Sequence, residues 1–325
     1  MADLTIAMII VTGGAGFIGS NVVRGLNRAG HRNILVVDNL QKGNKFVNLV
    51  GTDFQDYEDK DDFWQKLRDG REPSGVEAVL HQGACSDTTE SDGRYMMRNN
   101  VAFSRTLLDF CDLRRIPLIY ASSAAVYGEH GSDHRVGEAP LNVYGFSKWV
   151  FDRVVLGRLE TLRCPVVGLR YFNVYGPGET HKGSMASLVL QWYRQIRETG
   201  RLRLFGEYGG FGPGEQRRDF VTVEDVVRVN LWCLAHPELS GVVDVGTGHS
   251  RCFNELAAMV IGFLGRGEVE YIPFPEHLRG KYQSHTRAKL ERLRKAGFDG
   301  VFSTLEQGVP PYLEYLRQQE AHGFT

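Results

Sequence analysis

Tyr144 and Lys148 stand four residues apart in Tyr144-Gly145-Phe146-Ser147-Lys148, a spacing that puts a phenol and an ammonium on one face of a helix. A phenol has an ordinary pKa of about 10 and is a poor base near neutrality, but an adjacent cation favours its ionised form. The pair can therefore act together, with Lys148 supplying the charge that tunes Tyr144. A hydroxyl that hydrogen-bonds the reacting oxygen would complete the set, and Ser122-Ser123, at the end of an apolar run, offers two candidates.

A second chemical signal lies near the start. In Thr12-Gly13-Gly14-Ala15-Gly16-Phe17-Ile18-Gly19 glycine recurs every third residue, at Gly13, Gly16 and Gly19, between an apolar strand pattern and a helical one. Side chains there would block a tight turn, the approach of backbone to a pyrophosphate, or the packing of the helix on the sheet, while the helix N-terminus offers unpaired N–H groups and a favourable dipole. That placement reads as dinucleotide binding. Nineteen residues beyond Gly19 the strand pattern Ile34-Leu35-Val36-Val37 ends in Asp38, where a carboxylate accepts hydrogen bonds from an adenosine ribose. Taken alone Asp38 favours NAD over NADP; Lys42 and Lys45 follow and could neutralise a 2′-phosphate, so these residues leave the choice open.

The elements that must hold these groups alternate in the rhythm of a parallel sheet. Strands are predicted over 8–12, 34–37, 78–82, 118–122 and 166–170, and helices over 17–29, 61–67, 95–111 and 144–159. Past Tyr171 the texture turns to Gly-rich and Pro-rich loops with helices between them, and residues 206–213 read as a flexible surface loop. The expected architecture is an α/β doubly wound parallel sheet of the Rossmann type with a smaller, mainly C-terminal α/β substrate-binding lobe. Residues 1–175 and 219–248 are assigned to the dinucleotide-binding domain, and 176–218 and 249–325 to the lobe.

Bulk properties narrow the function class. The 325 residues carry 38 Lys and Arg against 39 Asp and Glu, a formal charge of −1, so nothing global draws the chain to nucleic acid or an acidic membrane, and any anion must be held locally. Five scattered cysteines (Cys85, Cys111, Cys164, Cys233, Cys252) form no Cys-x-x-Cys pair, which argues against a disulfide framework and a structural zinc. The opening residues lack a signal peptide's basic lead and apolar core, and no apolar run is of membrane-spanning length; a cytoplasmic enzyme with a loose leading segment follows. His130-Gly131-Ser132-Asp133-His134 spaces two histidines four apart, but the glycine and polar neighbours make it a loop and no Glu follows His130, so no metal is expected.

Five separated phrases now agree: Thr12 to Gly19, Ala121 to Gly128, Tyr144 to Lys148, Leu169 to Pro177, and Arg218-Asp219-Phe220-Val221. Together they resemble the extended short-chain dehydrogenase/reductases over nearly the whole chain from Met8. Within that group the chain looks most like the ADP-L-glycero-D-manno-heptose 6-epimerases, through Val36 to Leu40, Lys45 to Leu49, Gly83-Ala84-Cys85-Ser86, His181 to Ser187, and Tyr271 to Pro275.

The resemblance implies that Ser123, Tyr144 and Lys148 are the catalytic trio and that Lys182 is a second acid/base facing the sugar from the other lobe. It implies NADP as the usual cofactor, ADP-heptose as substrate, a homo-oligomer (a pentamer in this family), and a place in supplying the heptose of lipopolysaccharide core. Carried over residue by residue, the cofactor is lined by Gly13, Gly16, Phe17, Ile18, Gly19, Asp38, Asn39, Lys45, Lys60, Gln82, Gly83, Ala84, Cys85, Ser86, Asn99, Tyr144, Lys148 and Val174. The substrate is lined by Asn173, Lys182, Ser184, Gln191, Phe205, Gly206, Glu207, Tyr208, Arg218 and Tyr282, with Arg218 the clamp for a sugar diphosphate. The chain departs from the family in Gln82 for Glu, Gln191 for His, a longer Tyr208 to Gly214 segment, and Asp244-Val245-Gly246 for an Asn-x-Gly opening.

Three other readings have discriminating features. A UDP-hexose 4-epimerase shares the trio but not the Lys182 block. A sugar dehydratase places Asp and Glu after the active-site hydroxyl, where this chain has Ala124 and Ala125. A redox-silent NADP-sensing binding protein shares the fold but usually loses the Tyr and Lys pair.

Overall fold

The computed structural model of the chain describes residues 7–41, 44–130 and 137–321. Its strands are β1 (Met8–Thr12), β2 (Ile34–Asp38), β3 (Asp56–Asp59), β4 (Val76–His81), β5 (Leu118–Ser123), β6 (Val166–Tyr171), β7 (Asn173–Tyr175), β8 (Arg201–Phe205), β9 (Arg217–Thr222), β10 (Gly241–Val245), β11 (Ser250–Cys252) and β12 (Glu268–Ile272). Its α-helices are α1 (Phe17–Arg28), α2 (Lys60–Arg68), α3 (Gly93–Met96), α4 (Phe103–Arg114), α5 (Val143–Arg158), α6 (Leu188–Thr199), α7 (Val223–Ala235), α8 (Phe253–Leu264), α9 (Glu291–Lys295) and α10 (Leu305–Ala321).

Seven strands form one parallel sheet in the order β10-β6-β5-β4-β1-β2-β3. Alternate residues leave it on opposite faces. Ile9, Val11, Ile34, Val36 and Leu80 meet Val22, Val23 and Leu26 of α1 and Val226 and Val227 of α7. Ile10, Leu35, Val37, Val79 and Leu118 meet Phe63 of α2, Leu107 and Leu108 of α4, and Phe151 of α5. Apolar burial on both sides explains why these strands read as continuous hydrophobic runs rather than alternating ones.

The five strands expected from the sequence are present within two residues at each end. Two sheet strands had no sequence signal: β3 is Asp-Tyr-Glu-Asp at the exposed edge, and β10 lies beyond the change of texture at the other edge. The helix expected over 95–111 is present and widens midway. A π turn, Met97–Ala102, joins α3 to α4, a feature that accumulates at functional sites. Here it lets the Asn100 side chain accept from the Cys85 N–H (2.8 Å) and donate to the Cys85 carbonyl (2.9 Å).

A second core joins Val189, Leu190, Trp192, Tyr193 and Ile196 of α6 to Leu202 and Leu204 of β8, Leu256 and Val260 of α8, and Val309, Leu313 and Leu316 of α10. The small sheets β12-β8 and β11-β9-β7 border it. Within residues 206–213, expected as a flexible surface loop, Tyr208–Phe211 close a tight turn. Tyr208 and Phe211 exchange backbone hydrogen bonds of 3.0 and 3.1 Å, and the Tyr208 ring stacks on Phe274 with centroids 3.7 Å apart. No helix among the described residues is long and apolar enough to cross a membrane. Lys42, residues 131–134 of the two-histidine loop, and residues 1–6 of the leading segment lie outside the described residues.

The glycine turn after β1 is sterically obligatory. Gly13 adopts φ +66°, and a Cβ there would lie 2.6 Å from the Gly83 backbone; a Cβ on Gly19 would overlap the Gly13 carbonyl oxygen. Gly19→Ala should therefore force the turn open, with a loss of about 1–3 kcal/mol in urea unfolding and a weakened dinucleotide titration. Wild-type values in both measurements would show that the turn has room to spare.

Candidate active site

Strand order reverses about β1, with β2 and β3 on one side and β4, β5, β6 and β10 on the other. Loops leaving β1 and β4 therefore part in opposite directions and open a crevice at the strands' carboxyl ends, the general ligand site of such sheets. A cavity of about 160 Å³ lies there, lined by Thr12, Gly13, Val37, Asp38, Asn39, Lys45, Lys60, Gly83, Ala84, Cys85, Tyr95, Asn99 and Phe103. Nine of these are residues expected to line a cofactor. At its edge α1 begins behind Gly16 with no side-chain cap, so the N–H groups of its first turn are left for an anion.

Around that cavity the polar contacts are specific. The Asp38 carboxylate accepts from the Ala15 N–H (2.8 Å), the Asn39 N–H (2.7 Å) and the Lys45 ammonium (2.6 Å). Lys60 donates to Asn99 at 2.7 Å. Gln82 turns its amide away to Tyr171 (2.9 Å) and Asn230 (3.0 Å). Ser86 is exposed, and Val174 packs against the central core.

Tyr144 and Lys148 occupy the first two turns of α5, whose N-terminus is capped by the Asn142 side chain accepting from the Gly145 N–H at 2.8 Å. A Cβ on Gly145 would lie 2.8 Å from the Ala125 carbonyl oxygen; its absence lets α5 close on the segment after β5. There Ser123, the last residue of β5, faces the Tyr144 phenol, its hydroxyl also accepting from the Ala125 N–H at 3.1 Å. Burial pushes the Tyr144 phenol above its ordinary value, and the nearby Ser123 hydroxyl draws it back. The expected action of Lys148 on Tyr144 is not seen. The Lys148 ammonium donates to the Ala121 carbonyl at 2.8 Å, and burial lowers its pKa to about 8 against the pull of Asp152.

Asp152, one turn further along α5, was not singled out in the sequence. Fully buried, it accepts from Tyr120 (2.9 Å), Ser122 (2.9 Å) and Arg170 (2.8 Å). Ser122 thus serves α5, leaving Ser123 as the hydroxyl facing Tyr144. Its i+4 spacing from Lys148 was the available signal. His81 is likewise structural: held between Thr12 (2.6 Å) and Ser104 (2.7 Å), it is driven by burial to a pKa of about 3 and stays neutral.

Across the crevice, Lys182 lies in a turn at Thr180–Met185, its ammonium 5.5 Å from the Phe17 ring centroid. Burial lowers its pKa. Gln191 donates to the carbonyls of Ser184 (3.1 Å) and Ala186 (2.6 Å) and so holds this turn; Asn173 and Ser184 are exposed. Arg218 is buried with no carboxylate partner among the described residues. Its guanidinium donates to the Arg217 carbonyl (3.0 Å) and lies 4.8 Å from the Tyr282 ring and 5.6 Å from the Phe253 ring. A buried cation without a counter-ion is expensive and fits a site that receives an anion. Phe205, Tyr208, Phe274 and Tyr282 form an aromatic cluster beside it, Gly206 joins Phe205 to Tyr208, and Glu207 is exposed. Gln283 ties this wall to the catalytic segment by donating to the carbonyls of Ala124 (3.1 Å) and Gly128 (2.8 Å).

Comparison with known proteins agrees with this geometry. The model of the NAD dependent epimerase/dehydratase family matches residues 9–246. The chain belongs to this family. A nicotinamide dinucleotide is thus the cofactor of its site, and the glycine turn fits it. Among epimerase/dehydratase relatives, the ADP-L-glycero-D-manno-heptose-6-epimerase of Alkalilimnicola ehrlichii is 57% identical over 316 residues, covering 97% of this chain and 99% of that one. The enzyme of the same name from Cupriavidus pinatubonensis is 50% identical, covering 96% and 99%. The crystal structure of the Helicobacter pylori ADP-L-glycero-D-manno-heptose-6-epimerase superposes with a TM-score of 0.83 at 34% identity, covering 96% of each chain.

The Lys148 environment carries a pH dependence with a definite sign. An ammonium whose pKa is lowered to about 8 is charged below that pH and neutral above it. Turnover that needs the charge should fall as pH rises through 8, and Lys148→Arg, which keeps its charge, should carry the alkaline limb of kcat/KM upward even as it lowers the plateau. A limb that stays in place in that variant would assign it to another group.

Proposed function

We propose that this chain interconverts ADP-D-glycero-D-manno-heptose and ADP-L-glycero-D-manno-heptose by transient oxidation at carbon six, supplying the heptose precursor of lipopolysaccharide core. A nicotinamide dinucleotide held at the glycine turn and by Asp38, Lys45 and Lys60 would supply reversible hydride transfer at carbon six, by way of a transient ketone of the sugar. Tyr144, beside Ser123, exchanges the hydroxyl proton in one orientation of the carbon, and Lys182 exchanges it in the other. Two acid/base groups are required because the carbon must turn over between the two steps while the nicotinamide is fixed. Arg218 binds the diphosphate through charge-assisted hydrogen bonds, and the aromatic cluster around Tyr282 flanks it.

The observation that carries this reading is the seat of the half-buried Lys182 ammonium, 5.5 Å from the ring centroid of Phe17, the first residue of the helix that starts the dinucleotide site. The high identity to the two heptose epimerases supports it. Ala124 and Ala125 after Ser123 speak against a dehydratase, which needs acidic residues there to eliminate water.

NADP is the proposed form of the cofactor. The Asp38 carboxylate, which would repel a 2′-phosphate, is neutralised by Lys45 in the same cavity. The division into a dinucleotide domain at 1–175 and 219–248 and a substrate lobe from the remainder belongs to the same reading, as does a cytoplasmic location, which suits five free thiols. Exposed Phe46, Val47 and Val50 beside the cofactor cavity supply apolar surface for assembly into a homo-oligomer, a pentamer on this reading.

Purified protein assayed side by side with the two ADP-heptose epimers and UDP-galactose should interconvert only the heptoses, and denaturation should release NADP. Activity on UDP-galactose alone would replace this function with the 4-epimerase. Lys182→Met should lower epimerisation roughly 100-fold or more while the dinucleotide stays bound; full activity in that variant would remove Lys182 from the scheme.

A further inference from the structure

Glu179 is fully buried in the turn between β7 and α6, and the reaction above gives it no task. Its carboxylate accepts from the Gly176 N–H (3.2 Å), the Ser187 N–H (2.5 Å), the Ser187 hydroxyl (2.7 Å) and the Tyr312 hydroxyl (2.9 Å). Two of these donors are backbone amides that cannot reverse. Gly176 precedes the Thr180–Met185 turn and Ser187 follows it, so one carboxylate closes the base of the loop that bears Lys182. The Lys182 N–H also donates to the Glu179 carbonyl at 2.9 Å. Through Ser187, the cap of α6, and Tyr312 of α10, the loop is fixed to the second core.

The charges about Lys182 are few. Its own loop supplies Glu179 and His181, the latter facing Lys45 and Asp38, and α1 supplies the Phe17 ring; Arg194 of α6 and Tyr315 of α10 stand about Tyr312, the partner of Glu179. Burial disfavours the ammonium, and the Glu179 charge opposes that loss. Burial also raises the Glu179 carboxyl, and its bonds from Ser187, Gly176 and Tyr312 draw it back toward the ionised form.

We propose that Glu179 is a positioning residue for the second acid/base group: its buried carboxylate closes the loop that aims Lys182 and sets a negative charge at the base of that loop. The proposal rests on the reading of Lys182 as acid/base, and its consequences differ from those of that reading.

The test follows the Lys182 amine directly in the full-length holoenzyme. Lysines are ¹³C-methylated, the Lys182 resonance is assigned by its absence in Lys182→Met, and its titration is recorded beside the pH profile of kcat. Glu179→Gln should move the Lys182 titration, and the kcat limb that follows it, to lower pH by about one unit; Glu179→Asp should restore the position of both at reduced rate. A Lys182 titration unchanged in Glu179→Gln, with kcat lowered equally at every pH, would overturn the proposal and leave Glu179 a structural pin. Should the Gln variant lack a cooperative thermal transition, Tyr312→Phe takes its place. Removing a donor raises the carboxylate's own pKa, so the smaller inflection that Glu179 imprints on the Lys182 resonance must move to higher pH; an immobile or missing inflection would overturn the proposal. Full activity in Lys182→Met would sink the acid/base reading itself, whatever the titrations show.

Discussion

Asp152 reaches from α5 into the sheet and meets Arg170 of β6, with Tyr120 and Ser122 of β5 completing its hydrogen bonds. Arg170 in turn reaches Glu138 at 2.5 Å and lies over the Tyr127 ring. Burying such a pair gains little net stability compared with apolar packing, but a pair with every partner present admits few alternative arrangements. Its value here is geometric. Tyr144, Lys148 and Asp152 follow one another at intervals of one turn, so the carboxylate that fixes the last of them fixes where the phenol stands against Ser123.

The same burial that gives precision sets the electrostatics. Lys148, Lys182 and Arg218 are all cations pushed toward their neutral forms by removal from water. Each is held by something other than a directly bonded carboxylate: the Ala121 carbonyl, the Phe17 ring, and the Tyr282 and Phe253 rings. Aromatic faces offset part of the desolvation without cancelling the charge. The crevice therefore keeps positive potential for an anionic ligand although the chain as a whole carries almost no net charge.

Features that depend on neighbours in sequence were legible before the structure. Glycine every third residue between a strand and a helix, and a phenol and an amine one turn apart, are local patterns, and the crevice brings most of the residues they flag together. What escaped depends on distant partners. β3 carries no apolar run because an edge strand in water needs none. Asp152 and Arg170, or Glu179 and Tyr312, acquire meaning only when β6 or α10 comes alongside. The segment after Phe205 looked unstructured because Phe274, which stacks on Tyr208, lies far along the chain. Even the Tyr144 and Lys148 pair was only half legible, since spacing reveals a shared face and not the Ala121 carbonyl that claims the amine.

Two asparagines bear on how the halves of the crevice behave. Asn21 donates to both Phe17 and Pro177 at 2.8 Å, and Asn48 to Ala15 (3.1 Å) and Gly178 (3.0 Å). Each amide thus holds the glycine turn with one contact and the approach to Lys182 with another. The phosphate cradle and the opposite wall are therefore pinned to one another by side chains that belong to neither, and a displacement of one is resisted at the other.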